Sequence, residues 1–244
     1  MSLHRLRYKL IIWSTRSPRL YFALRRMAGR MNARCVGPQT DIVIEGFPRS
    51  ANSATTHAFI DRQEPGIRVA HHLHHVAQLL EGIRLGVPCV VLIRDPKSAI
   101  LSLRALRVEA QNRENAGRNG ETFEDALKAW LTFYDTLRPQ LSHVVIAPFE
   151  EVTQSVAPLI SDVNRRFGTQ FATSLPAGRS ERVLGYHAKP TPLRDDIKRK
   201  LAAELELLIE TNAGFRRDLA RATQLYQTYL DAYAQRPDSF GARS

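Results

Sequence analysis

The feature that most constrains the fold of this chain is a short apolar run that ends abruptly in a glycine-proline turn. Residues 42–44 are Ile-Val-Ile, a Gly-Phe-Pro turn follows at residues 46–48, and a helix is predicted to begin around Ser53. A buried strand followed by a tight turn and a helix is typical of α/β proteins with parallel strands. The helix would also present unpaired backbone N–H groups, which favour an anion. The segment therefore predicts both a fold class and an anion-binding site.

Strand and helix patterns continue to alternate along the chain. Three more β-rich runs lie at residues 67–70, 89–93 and 144–146. The second of these is continuously apolar, as expected for a strand buried on both faces. Apolar residues at helical spacing predict one helix capped by Thr122 and another capped by Thr191. Together these patterns predict a three-layer, P-loop-like α/β domain with a mainly parallel central sheet flanked by helices.

Charge divides the chain into three regions, because most of the excess of Lys and Arg (35) over Asp and Glu (24) lies near the start. Residues 1–40 are predicted to form a basic arm, residues 41–234 the α/β domain, and residues 235–244 a flexible tail. The charged side chains up to position 41, other than His, are Arg5, Arg7, Lys9, Arg16, Arg19, Arg25, Arg26, Arg30, Arg34 and Asp41. Apolar residues interleave with these arginines. Two interpretations of the arm are a helix lying on an anionic membrane and a helix packed on the core with solvated charges.

Composition also indicates in which cellular compartment the protein is expected. The sequence contains no apolar run of about 18 residues, so no membrane-spanning helix is expected. The only cysteines are Cys35 and Cys89. A disulfide framework is therefore not expected, and a reducing cytoplasm fits. We expect a cytoplasmic protein, with peripheral contact to anionic membrane through residues 1–40 as an option, and no nucleic acid partner.

The predicted anion site carries its own polar side chains. Arg49 adds a fixed positive charge, and Ser50, Asn52 and Ser53 add hydrogen-bond donors to those of the backbone. The Walker A motif, G-x-x-x-x-G-K-[ST], has a phosphate-binding lysine at the position of Asn52. A kinase or NTPase that depends on that lysine is therefore disfavoured. An ordinary strand-turn-helix with polar caps is the other alternative at this segment.

A second strand-turn-helix segment follows at residues 89–103. Arg94 lies at the carboxyl end of the predicted strand, and Ser102 lies two helical turns into the next element, so both could reach one phosphate. Alone, this segment fits a surface arginine beside a capped helix equally well. Two such segments in succession favour a binding function more strongly than either segment does alone.

Both segments resemble those of the PAPS-dependent sulfotransferases, which use 3′-phosphoadenosine-5′-phosphosulfate (PAPS) and release adenosine 3′,5′-bisphosphate (PAP). Residues 46–53, Gly-Phe-Pro-Arg-Ser-Ala-Asn-Ser, are similar to the family's 5′-phosphosulfate loop, G-x-P-[KR]-S-G-[TN]-[TS]. Residues 90–103 resemble its 3′-phosphate segment. The resemblance extends over residues 41–210. It departs at Ala51, where the family has glycine, and at Ala54, where many members have a tryptophan that stacks on adenine.

The resemblance implies an enzyme that moves a sulfuryl group from PAPS to a hydroxyl or amine of a carbohydrate, lipid or small metabolite, without a metal. Arg49 would also act in catalysis, by stabilising charge on the leaving phosphate. The donor-binding residues that it implies are Arg49, Ser50, Ala51, Asn52, Ser53, Arg94 and Ser102. Two other functions compete with this one: a P-loop-type nucleotide-binding kinase relative, and a basic membrane- or polyanion-binding protein without catalysis.

Residues 71–75, His-His-Leu-His-His, contain half of the histidines. A metal site is disfavoured there, because no nearby cysteine or carboxylate completes a ligand set. The segment is similar to the family's K-T-H-L-P segment, which implies His72 as the catalytic base, with His71 and then His57 as alternatives. In an extended strand His71 and His72 would point to opposite faces, so only one would face the donor. An unperturbed imidazole would make activity rise between about pH 5.5 and 7.5.

Overall fold

A computed structural model describes residues 11–114, 122–178, 180 and 191–236 of the chain. Its centre is a four-stranded sheet with the strand order β2-β1-β3-β4, in which all three strand pairs are parallel. The strands are β1 (Ile42–Gly46), β2 (Val69–His71), β3 (Cys89–Ile93) and β4 (Val145–Pro148). The predicted parallel α/β sheet is confirmed.

Helices cover both faces of this sheet. In chain order they are α1 (Pro18–Met27), α2 (Asn52–Arg62), α3 (Val76–Leu85), α4 (Pro96–Glu114), α5 (Phe123–Leu137), α6 (Phe149–Val152), α7 (Ala157–Phe167), α8 (Pro192–Thr211) and α9 (Ala213–Ala234). A 3₁₀ turn at Arg138–His143 joins α5 to β4. The predicted tail at 235–244 lies almost wholly outside the described residues.

Alternate residues of the central strands enter different layers, as the two-residue period of a strand requires. Val43 and Val91 pack into a core formed with α3, α4, α5, α8 and α9. Ile44 and Leu92 pack into a second core formed with α2 and α7. The molecule is therefore a three-layer α/β domain, with one helical layer on each side of the sheet.

Local capping fixes where the long helices begin. Thr122 Oγ1 accepts a hydrogen bond from the Asp125 N–H at the start of α5 (3.2 Å). Thr191 Oγ1 accepts one from the Arg194 N–H at the start of α8 (3.1 Å). Side-chain acceptors of this kind satisfy backbone N–H groups that have no partner inside the helix. Both predicted caps are confirmed.

The strand order places β1 between β2 and β3, so the connection from β1 to β2 and the connection from β2 to β3 run to opposite sides of β1. In α/β proteins a ligand crevice usually lies at the carboxyl ends of the strands at such a point. β1 and β3 approach closely there, since a Cβ on Gly46 would lie 2.4 Å from the Leu92 carbonyl oxygen. The Tyr134 hydroxyl donates to that same oxygen (2.8 Å) and accepts from the Phe47 N–H (3.3 Å). The end of β1 is thus held firmly from the α5 side.

The described part of the arm packs on the domain. Tyr21 and Phe22 of α1 are buried in the larger core. Further along, the buried Gln78 side chain accepts a hydrogen bond from the Val36 N–H (2.9 Å) and donates to the Arg34 carbonyl oxygen (3.0 Å). None of the described helices is both long and apolar enough to cross a membrane.

Candidate functional site

A cavity of about 770 Å³ opens at the carboxyl ends of the strands. Every strand contributes to its lining through the residues that come just after it. Arg49 follows β1, His72 follows β2, Arg94 follows β3, and Phe149 follows β4. The carboxyl edge of a parallel sheet is where α/β proteins bind ligands, so this cavity is the candidate functional site.

The loop after β1 turns sharply into α2. Arg49 (φ 72°) and Ala51 (φ 67°) both have left-handed backbone conformations. Ala51 is the N-cap residue of α2, and its carbonyl oxygen accepts the first helical hydrogen bond from the Thr55 N–H (2.9 Å). The N–H groups of residues 52–54 precede that bond, and an alanine side chain cannot cap them. The start of α2 therefore presents backbone donors to the cavity that Ala51 and its neighbours line.

Ala51 adopts the left-handed conformation for which glycine is better suited. The methyl group in this region costs about 1 kcal/mol relative to glycine. Ala51 therefore makes a turn that a glycine could also make, but with some backbone strain.

The Asn52 side chain closes this loop. Its Nδ2 donates a hydrogen bond to the Phe47 carbonyl oxygen (3.0 Å), and the residue is buried. Ser50 is fully buried, does not line the cavity, and uses its N–H in a turn to the Phe47 carbonyl oxygen (3.2 Å). Of these two predicted binding residues, the structure places Asn52 in the cavity lining and Ser50 beneath it.

Two predicted phosphate-binding arginines meet in the same wall. Arg94 Nη1 donates to the Arg49 carbonyl oxygen (3.0 Å), and the Arg94 guanidinium lies over the Phe149 ring, 3.9 Å from its centroid. Arg49 Nε donates to Ser102 Oγ (3.1 Å). Ser102 is buried and does not line the cavity, so it contacts Arg49 and not the open space beside Arg94.

These positive charges are held close together and away from water. Burial lowers the pKa of Arg49 to about 10, and the nearby Arg194 and Arg94 lower it further in the same direction. Burial also lowers the pKa of Arg94. Both arginines nonetheless stay charged at neutral pH. Two desolvated cations in one wall, with Arg107 also in the lining, would be stabilised by a bound anion of high charge.

The histidine segment departs from the predicted geometry. β2 ends at His71, and His72 has a left-handed backbone (φ 59°), so the alternation of an extended strand does not continue. The expectation that the two rings point to opposite faces is wrong. Their Nδ1 atoms are in contact and their ring centroids are 4.7 Å apart. His72 lines the cavity together with His57 and His74, whereas His71 does not.

The unperturbed pKa that the sequence predicts for His72 does not hold in the fold. Burial, with a smaller contribution from the neighbouring His71, lowers the pKa of His72 to about 3. The imidazole is therefore neutral far below the interval from about pH 5.5 to 7.5 that an unperturbed histidine predicts. Because it is neutral, the His72 ring adds no positive charge to that of Arg49 and Arg94 in the cavity lining.

Sequence reasoning did not assign roles to His74 and Glu45. His74 Nδ1 lies 3.1 Å from the Gly46 carbonyl oxygen and 3.7 Å from Glu45 Oε1. Glu45 is fully buried within β1 and accepts hydrogen bonds from the Leu73 N–H (2.9 Å) and Gln78 Nε2 (3.2 Å). A carboxylic acid in an otherwise apolar strand was the signal that could have been followed, because such a group needs specific partners.

A comparison with protein-family models, curated proteins and solved structures finds no match for this chain. Among the residues that the structure describes, no cluster of three or more His, Cys, Asp or Glu is arranged to hold a metal ion. Function must therefore be inferred from the geometry and charge of the cavity itself.

Proposed function

We propose that the chain is a sulfotransferase that transfers a sulfuryl group from PAPS to a hydroxyl or amine of a carbohydrate, lipid or small metabolite. The observation that carries this proposal is the wall of the cavity in which the uncapped start of α2 meets Arg49 and Arg94. Such a wall suits a ligand with more than one strongly anionic group. The loop sequence at residues 46–53, which resembles the phosphosulfate loop of the sulfotransferases, favours a phosphosulfate over other phosphorylated ligands.

In this proposal the 5′-phosphosulfate binds at the start of α2. The N–H groups of residues 52–54 and the Arg49 guanidinium would contact it. Sulfuryl transfer resembles phosphoryl transfer, in which enzymes act mainly by positioning the groups and by stabilising charge. Arg49 stabilises the charge that develops on the leaving phosphate, and Ser102 Oγ fixes the direction of its side chain (3.1 Å).

The 3′-phosphate is assigned to Arg94. Stacking on Phe149 and donation to the Arg49 carbonyl oxygen hold this guanidinium in one orientation. A planar guanidinium fixed in this way is suited to bind a phosphate through two parallel hydrogen bonds. Arg94 would thereby distinguish PAP and PAPS from nucleotides that lack a 3′-phosphate.

A kinase that uses the Walker lysine fits this loop less well. Asn52 occupies the position of that lysine, and its amide is already used to close the loop on the Phe47 carbonyl oxygen (3.0 Å). A polyanion-binding protein without catalysis would not require a guanidinium held in one orientation by the Phe149 ring and the Arg49 carbonyl oxygen.

Calorimetric titration with PAP, 5′-AMP and ADP tests the proposal without knowledge of the acceptor. PAP should bind at least about tenfold more tightly than 5′-AMP. Arg94→Ala should remove most of that preference. Arg84→Ala, which removes an exposed arginine paired with Glu81, is the matched control and should leave the preference intact. Equal affinities of wild type for PAP and 5′-AMP, or magnesium-dependent hydrolysis of ATP, would overturn the assignment.

A further inference from the structure

Both ring nitrogens of His72 already have partners. Its Nε2 lies 2.9 Å from Ser53 Oγ, and its Nδ1 contacts His71 Nδ1. An acceptor hydroxyl would have to displace one of these groups before His72 could remove its proton. The residue is therefore placed to hold the start of α2 against the end of β2.

His74 offers the opposite arrangement. Its Nδ1 lies 3.1 Å from the Gly46 carbonyl oxygen, which can only accept, so the ring hydrogen is on Nδ1. The unshared electron pair is then on Nε2. No hydrogen-bond partner for this nitrogen occurs in the part of the chain that the structure describes, and the ring lines the cavity. Backbone geometry thus selects the tautomer that a proton acceptor needs.

Glu45 lies behind the same ring. Its Oε1 is 3.7 Å from His74 Nδ1, and its other oxygen is held by the Leu73 N–H (2.9 Å). Once ionised, a carboxylate in this position stabilises by its charge the imidazolium that forms when Nε2 takes a proton. Glu45 is fully buried, so it is a positioning residue that acts through His74.

We propose that His74, rather than His72, accepts the proton of the acceptor, a step that rests on the proposed function. The acceptor oxygen forms a bond to sulfur as its proton moves to His74 Nε2. The bond between sulfur and the bridging oxygen of the 5′-phosphate breaks, and its electron pair leaves with PAP. The imidazolium then releases the proton to solvent.

The test compares His74→Asn with His72→Asn. Both positions have left-handed backbones, φ 56° and φ 59°, a conformation that asparagine tolerates, so the two variants remove an imidazole from matched sites. Release of PAP from PAPS is measured with p-nitrophenol, with glucose and with water alone as acceptor. His74→Asn should lower turnover at least about a hundredfold with PAP affinity unchanged, and His72→Asn should lower it less than about tenfold.

The outcomes separate this inference from the proposed function. Absence of PAP release from the wild type with every acceptor, together with no preference for PAP over 5′-AMP, would count against the sulfotransferase assignment. Transfer by the wild type with a larger loss in His72→Asn would overturn the role of His74 alone. An independent readout is labelling by diethyl pyrocarbonate, which modifies accessible neutral imidazoles: it should label His74 and spare His72, and the reverse pattern would overturn the inference.

A separate observation concerns the surface around α1. Exposed large hydrophobic side chains of the described chain concentrate there: Trp13, Leu20, Leu24, Met27 and Met31. The others are Leu193 and Leu207, far along the chain. Met27 is 76% exposed and Trp13 is 61% exposed. Residues 1–40 contain no Asp or Glu, so this apolar surface lies in an entirely basic segment.

The spacing along α1 arranges these side chains by face. Leu20, Leu24 and Met27 are related by four and seven residues, so they share one face of the helix. Tyr21 and Phe22 are on the side buried against the domain. Arg19 and Arg26, which are both exposed, form a second row beside the apolar face. An exposed apolar face flanked by arginines matches the boundary between lipid head groups and acyl chains.

We infer that this surface, defined by Trp13, Leu20, Leu24, Met27, Met31 and the neighbouring arginines, docks the domain on anionic lipid bilayers. Full-length protein is co-sedimented with phosphatidylcholine vesicles that lack or contain about one third phosphatidylglycerol, at about 0.05 M and about 0.5 M NaCl. Binding should require the anionic lipid and weaken at high salt. The double variant Leu24→Ser/Met27→Ser should bind at least about tenfold more weakly. The control Leu193→Ser/Leu207→Ser should bind as the wild type does.

Equal binding of both double variants, or no binding at low salt, would overturn the inference. So would a concentration-dependent dimer in sedimentation velocity that the Leu24→Ser/Met27→Ser change abolishes, because the surface would then join two copies of the chain. Binding to a DNA duplex as tight as binding to anionic vesicles would also overturn it, by showing general attraction to polyanions.

Discussion

The loops after β1 and β2 use the same backbone device for different purposes. Among the described residues other than glycine, positive φ occurs at Arg49 and Ala51 in the first loop and at His72 and His74 in the second. Each pair is separated by one residue, and each loop turns away from the sheet toward the cavity. The first loop carries a permanent cation and the second carries imidazoles. The comparison teaches that the same left-handed backbone geometry can place either a guanidinium or imidazole rings in the cavity lining, and that residue type alone makes the two loops chemically different.

Burial lowers the pKa of a side chain in each loop, but the charge states at neutral pH differ. It lowers the pKa of Arg49 to about 10 and the pKa of His72 to about 3. Arg49 therefore stays charged and His72 stays neutral across the physiological range. The contrast between the two sides does not depend on small changes of pH.

Removal of the cation from the first loop should have the largest effect on activity. Arg49→Ala should lower turnover of PAPS by about a hundredfold or more, because charge on the leaving phosphate loses its nearest stabilising group. Arg49→Lys should be milder, since the charge is kept. Initial rates of PAP release measure both, and full activity of the alanine variant would contradict the role of the loop.

Acid should destabilise the folded protein through the partly buried histidines at the end of β2 and just after it. Burial lowers the pKa of His71 to about 4 and of His75 to about 3, whereas the unfolded chain titrates near 6.5. As pH falls below about 6.5 only the unfolded state gains these protons, so stability that is present at neutral pH is lost. For His75, the free energy of unfolding should fall by about 2 kcal/mol between pH 6.5 and 5.

His75→Phe provides the measurement of that effect. His75 has an extended backbone, and its ring packs 5.2 Å from Tyr21, so phenylalanine can replace it as an aromatic group that does not titrate. Denaturant unfolding of wild type and variant should show a shallower fall in stability for the variant between pH 7 and 5. Parallel curves would show that His75 is not held neutral by burial.

A smaller effect is expected from Glu45 at alkaline pH. Burial raises the pKa of Glu45 to about 8. Turnover should rise by about tenfold as the carboxyl ionises above that pH, because the carboxylate then stabilises the imidazolium of His74. Tyr21 and Tyr134 also face Glu45, but burial raises both pKa values well above this range.

Glu45→Gln should remove this alkaline rise in the pH–rate profile. The substitution keeps an oxygen for the Leu73 N–H but carries no charge. Thermal unfolding checks that the variant is folded. An unchanged rise in the variant would assign the ionisation to another group.

The smallest effect tests backbone strain in the first loop. Ala51→Gly should raise the free energy of unfolding by less than about 1 kcal/mol, since relief of the left-handed alanine is partly offset by the greater freedom of glycine in the unfolded chain. Ala58→Gly, in the regular part of α2, is the matched control and should lower it by about 1 kcal/mol. Chemical denaturation measures both. Equal losses in the two variants would mean that Ala51 is unstrained.

The fold was predictable because its signals are local. The apolar run at residues 89–93 and the caps at Thr122 and Thr191 act through neighbours in sequence, so they can be recognised without tertiary contacts. Placement of Arg49 and Arg94 at strand ends followed from the same patterns.

The arrangement within the site was less predictable, because it depends on contacts between elements. No local pattern indicates a left-handed backbone at His72 or His74, since that conformation is most common in glycine and asparagine. The contact of Ser102 with Arg49 depends on which rotamer Arg49 adopts across two elements. The neutral state of the histidines depends on how deeply the fold buries them, which residue type alone does not specify.

The buried side chain of Gln78 connects the segment that follows α1 to Glu45 in β1. Its amide bonds to the Val36 N–H and the Arg34 carbonyl oxygen on one side and to Glu45 on the other. A movement of the segment that follows α1 would therefore change the hydrogen bonds of the carboxyl group behind His74. Thermodynamic linkage makes such an effect reciprocal: if occupancy of the cavity changes the affinity for a bilayer, the bilayer changes the affinity for the ligand by the same factor. One buried amide would then couple ligand binding in the cavity to lipid binding at α1.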